Sequence, residues 1–132
     1  MAFKYDELPW PVAPVISLGG TDQNGWSTDY ATYSKVGNVV FFRFALSKAA
    51  AAWTGSGSMV VKNLPVPGLA AGGGVVNVGY FANYTPAGVI GCFVSGSQIQ
   101  FNKGSNRGVD VTGADLNAAQ GILIVEGFYR VS

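Results

Sequence analysis

Along much of this chain, apolar and polar residues alternate in short runs, and the runs are separated by Gly, Asn, Ser and Pro. That period of two, broken by turn formers every ten residues or so, predicts strands rather than helices. The runs lie at 14–18, 29–36, 38–48, 58–63, 74–84, 88–94, 97–102 and 121–131. "VGN" around Gly37 and "SGS" at 95–97 are tight turns, where glycine is free to take a positive φ. "GADLNAAQG" at 113–121 predicts a short helical turn that Asp115 would cap and Gly121 would end. Eight short strands with little helix predict an all-β fold. We expect a two-sheet antiparallel β-sandwich wound as a jelly roll, with an immunoglobulin-like sandwich as the alternative.

The run 38–48, "NVVFFRFALSK", departs from simple alternation. Val40, Phe42, Phe44 and Leu46 share one face. Val39, Phe41 and Ala45 share the other, with Arg43 among them. A half-buried strand is expected to be polar on its wet side, so the second apolar face needs a cover.

Residues 1–15 differ from the rest. Pro9, Pro11 and Pro14 favour extended geometry, yet Phe3, Tyr5, Leu8, Trp10 and Val12 give the segment more apolar weight than a floppy tail carries. The expected organisation is an extended N-terminal arm over 1–15 and a β-sandwich domain over 16–132. Two roles are open for the arm: packing on its own domain, or gripping a neighbouring subunit.

Composition narrows the chemistry. The chain has 132 residues, enough for one domain whose core needs neither disulfide nor metal. It has no histidine, which removes His-based general base catalysis and nearly all zinc sites. The acids are dispersed. A two-carboxylate site, for instance Asp29 with Glu126, would have to be assembled by the fold, and nothing in the spacing proposes it. "AAGGGVVN" lacks the Gly-Lys-Ser/Thr ending of a phosphate loop, and no calcium-loop pattern occurs. We therefore expect no enzyme activity, no cofactor and no metal. The single Cys92 lies in an apolar run and reads as a small core residue.

A net charge of +1 gives no electrostatic reason to expect nucleic acid or an anionic membrane as partner. Charged residues make up 11% of the chain, against about 25% in typical soluble domains. Such a surface suits one that other subunits cover, or a plain glycine-rich β protein. Trp26, Trp53, Lys103 and Arg107 lie in or beside loops. They are candidates for stacking on a sugar or meeting an acidic partner. Their plain alternatives are an end cap for the sandwich and a solvated hairpin tip. The sequon at Asn83 is short enough to occur by chance.

"YSKVGNVVFF", then "TGSG", "VVKNLPVP" and a closing "GFYRV" resemble the small β-domains of tailed-phage virion proteins. Tyr33, Lys35, Val36, Gly37, Asn38, Gly55, Gly57, Leu64 and Pro65 carry the resemblance, which covers roughly 26–131. It implies a homotrimer in which the second face of the 38–48 strand packs on sister subunits through Val39, Phe41 and Arg43. It also implies a place on the virion surface. The expectation is a capsid decoration, or cement, protein that holds the major capsid protein through Phe3, Tyr5, Leu8 and Trp10. The alternative is a tail-fibre receptor-binding tip recognising host-surface glycan.

Overall fold

A computed structural model describes residues 7–69, 74–86, 88, 90–104 and 108–132. Two five-stranded antiparallel sheets pack face to face. The first contains β1 (Leu8–Pro9), β4 (Ser27–Val36), β5 (Val39–Lys48), β10 (Gly121–Arg130) and β7 (Gly74–Phe81), in the order β1-β4-β5-β10-β7. The second contains β3 (Thr21–Asp22), β2 (Val15–Leu18), β6 (Met59–Lys62), β9 (Gln98–Lys103) and β8 (Ile90–Ser95), in the order β3-β2-β6-β9-β8. The two-sheet sandwich is as expected. The four-residue β2 and the ten-residue β10 lie in different sheets.

The core forms where the alternation predicts. Val40, Phe42, Phe44 and Leu46 of β5 are buried, as are Leu123, Val125 and Tyr129 of β10. They face Ile16, Leu18, Val61, Ile99 and Phe101 of the second sheet within one cluster. Tyr129 is fully buried, so its hydroxyl needs partners. It donates to the Val66 carbonyl at 2.7 Å and accepts from the Val66 N–H at 3.3 Å. Desolvation pushes this phenol up to about 12.

Both predicted hairpin turns are present, with Gly37 at φ 59° and Gly96 at φ 60°. The helical turn is shorter than expected. It is one 3-10 turn over Gly113–Asp115, and Asp115 reaches back to accept the Thr112 N–H at 2.9 Å. Gly121 does not end that turn; it opens β10. Its missing side chain makes room for Trp26, whose ring would lie 2.4 Å from a Cβ there.

The lead-in over residues 7–15 belongs to the sandwich. Leu8 and Pro9 pair with Tyr33 and Thr32 of β4. Trp10 is only 6% exposed, and its ring meets Phe42 and Phe44 edge-on at 6.1 and 5.3 Å. Its backbone N–H donates to the Ala31 carbonyl and its indole N–H to the Thr32 carbonyl, each at 3.1 Å. Trp10 thus closes the open side of the core, and as an anchor on a neighbour it is misplaced. Trp10→Ala should lower the unfolding free energy by about 3–5 kcal/mol, the range for deleting a buried large aromatic. Denaturant titration checks this; a change within about 0.5 kcal/mol would place the residue in a loose arm.

Candidate functional site: the outer face of the first sheet

The outward residues of β4, β5, β10 and β7 form rows fixed by strand register. Ser34, Phe41, Phe128 and Val75 make one row. Phe41 is 49% exposed, Phe128 36% and Val75 52%, and the two Phe rings lie 5.9 Å apart. Val36 and Val39 continue the apolar strip toward the β4–β5 turn, ending at Arg130 on β10. Exposed aromatics beside β-branched residues on several adjacent strands form a contiguous patch, unlike scattered surface hydrophobics.

A polar belt borders the strip. It runs through Thr32, Arg43, Glu126 and Asn77. Arg43 is fixed in place, its guanidinium donating to Glu7 at 3.0 Å and to the Thr32 hydroxyl at 3.3 Å. It also lies 5.5 Å over the Tyr30 ring. Both ends of the Glu7 pair are half-exposed, so the bond orients Arg43 more than it stabilises the fold. Strip and belt enclose a shallow depression of about 330 Å³. Beyond the belt, Tyr30, Ala45, Ile124 and Tyr80 make a further mostly apolar row. Val39, Phe41 and Arg43, singled out from the sequence, therefore share one exposed surface. Phe128, Val75 and Tyr80 were missed as its partners. The apolar positions on both faces of "GILIVEGFYRV" were the signal that could have found Phe128.

The other candidate residues are not brought together. Trp26 and Trp53 pack on each other at 5.4 Å, and the Trp53 indole N–H donates to the Asn117 carbonyl at 2.7 Å. They cap one end of the sandwich and are half-buried there. Lys103 ends β9 and points its ammonium at the Asp115 carboxylate, 2.8 Å away, so it is not a free loop cation. Arg107, Phe3 and Tyr5 lie outside the described residues. Leu8 is half-exposed on the edge of the first sheet, and Val12 is exposed further along the lead-in. Asp29 accepts a hydrogen bond from Ser47, while Glu126 sits opposite Arg43. Four residues of strand separate those places, about 13 Å. That exceeds the spacing of a glycosidase carboxylate pair.

Two further positions settle sequence-level questions. Asn83 is wholly buried, and its side-chain amide donates to the carbonyls of Asn117 and Ala119 at 3.0 Å each. The sequon therefore cannot accept a glycan in the folded chain. Cys92 packs against the core, and burial pushes its thiol up to about 12. It is predominantly protonated at neutral pH and a poor nucleophile. Among the described residues no group of three or more His, Cys, Asp or Glu could hold a metal ion, and no helix is long and apolar enough to cross a membrane. Comparison with protein-family models, curated proteins and solved structures finds no match to this chain.

Asp115 joins the 112–116 turn to β9. Its burial opposes ionisation, but the Lys103 ammonium and the Thr112 N–H outweigh that and hold its carboxyl below the ordinary 3.8. A depressed folded-state value stabilises the fold above the unfolded pKa, and that contribution disappears as pH falls through the folded value. At pH 7, Asp115→Asn should cost about 2 kcal/mol, the scale of hydrogen bonds to a charged group. Denaturant titrations across pH should show the gap between wild type and variant closing below pH 3.8. A gap constant down to pH 2 would mean that the carboxylate charge contributes nothing.

Proposed function

We propose that this chain is a non-enzymatic structural protein of a tailed-phage virion: a homotrimeric decoration, or cement, protein on the capsid exterior. The observation that carries the reading is the outer face of the first sheet. An aromatic and β-branched strip lies beside an oriented Arg43, on strands whose inner faces already fill the core. A sheet apolar on both sides suits a subunit with one face in its own core and the other on sister subunits. Low charge and the lack of histidine support the same class.

Such a protein acts by interface area rather than chemistry. Sister copies cover the Phe41 strip, and the trimer rests on the major capsid protein, adding buried surface across seams in the shell. Contact with the shell falls to the exposed apolar residues of the lead-in, Leu8 and Val12, with Phe3 and Tyr5 ahead of them; Trp10 serves the fold. Neither nucleic acid nor membrane enters this account.

The second reading is a tail-fibre tip that binds host-surface glycan. The half-exposed Trp26–Trp53 pair at one end of the sandwich favours it, since a paired indole surface suits sugar stacking. The copy number per purified particle, by quantitative mass spectrometry against the major capsid protein, separates the two. Decoration predicts about one copy per capsid subunit. A few to a few dozen copies per particle would move the chain to the tail, and its absence from particles would remove both readings.

A further inference from the structure

On the outer face of the first sheet, Glu126 and Arg130, both exposed on β10, have no ion-pair partner among the described residues; Asp29, which also has none, is hydrogen-bonded by Ser47. Glu126 and Arg130 lie on the same side of the strand, with Phe128 midway between them. Four residues of strand set them about 13 Å apart. The order acid, aromatic, base along one exposed strand is self-complementary. An identical neighbour facing this strip in the opposite strand direction offers its base to the acid and its acid to the base. Three copies closing around an axis can use the same charges, each giving Glu126 to one neighbour and Arg130 to the other.

The surface approaches the size an interface needs. Four long strands at about 4.8 Å spacing and about 33 Å length give roughly 600 Å² in projection, before the relief of the side chains is added. A standard interface takes about 800 Å² from each partner. Its anatomy is that of a subunit seam: an apolar middle of Phe41, Phe128 and Val75, with charged residues on both flanks. Arg43, opposite Glu126 on the neighbouring strand, is held by Glu7 and leaves Glu126 open to a partner.

We infer that a second copy of this chain covers the Phe41–Phe128–Val75 strip, and that Glu126 of one copy pairs with Arg130 of the next. This rests on the self-association proposed above and names the surface and the charge pair that set its register. The charge pair sets which alignment is favoured, because shifting one copy along the other would leave both charges desolvated without partners.

Native mass spectrometry and sedimentation of the full chain test this with four variants. Wild type is expected to be oligomeric at micromolar concentration. Phe128→Glu should be monomeric there while keeping wild-type circular dichroism and a cooperative unfolding transition, because the ring is already partly in water. Glu126→Arg and Arg130→Glu should each weaken association about tenfold or more, and the double reversal should restore most of it. A monomeric wild type would overturn both the self-association reading and this inference. An oligomer indifferent to Phe128→Glu would leave that reading standing and remove the seam from this face. Single reversals with no effect, or a double reversal that fails to rescue, would overturn the charge pair. A mass of three copies supports the homotrimer, and a mass of two would contradict it while keeping the seam.

Discussion

Everything in this sandwich depends on the burial of the inner faces of β5 and β10. These two ten-residue strands lie side by side near the middle of the first sheet, joined along their whole length. Their inner residues meet the second sheet in one continuous cluster. Removing one large side chain from such a cluster costs the transfer energy plus the cavity left behind. The polar atoms that must enter it are satisfied locally: Tyr129 by the Val66 backbone, and Trp10 by the Ala31 and Thr32 carbonyls. The inner faces already lie in this cluster, while the outer faces of the same strands carry exposed apolar residues such as Phe41 and Phe128.

The ends and edges of the molecule are tied down by contrast. Trp26 lies on Gly121 and against Trp53, and the Gln23 side chain bridges to the Thr54 backbone in both directions. Asp110 takes hydrogen bonds from Ser58 and Asn102, and Asp115 holds Lys103 and the Thr112 N–H. These bonds use polar loop residues internally, in the places where a binding site would ordinarily display them. The first sheet's outer face carries the opposite signature, with exposed rings, a tethered arginine, and Glu126 and Arg130 without an ion-pair partner among the described residues. That contrast is what the proposed assembly rests on.

Much of the fold was legible in the alternation. β5 and β10 came from apolar periodicity, and their neighbours from turn glycines such as Gly37 and Gly96, whose positive φ a side chain would strain. β1 and β3 were not legible, because a two-residue strand has no period; pairing with β4 and β2 alone defines them. Trp10 was ambiguous because prolines on both sides describe an extended chain equally well in a free arm and in a sealed edge. Lys103 and Asp115 are twelve residues apart in different elements, so only the fold brings them together. The second apolar face of β5 was visible in the sequence, but its continuation through Phe128 and Val75 required register, which no single strand reports.

The most direct test is hydroxyl-radical footprinting of Phe41 and Phe128 across a dilution series, with exposed Val109, away from this face, as internal reference. The account predicts both rings protected at high concentration, with reactivity rising together as dilution separates the copies, while Val109 stays constant. Reactivity of both rings that stays constant across the dilution series would mean that nothing of this chain covers the face.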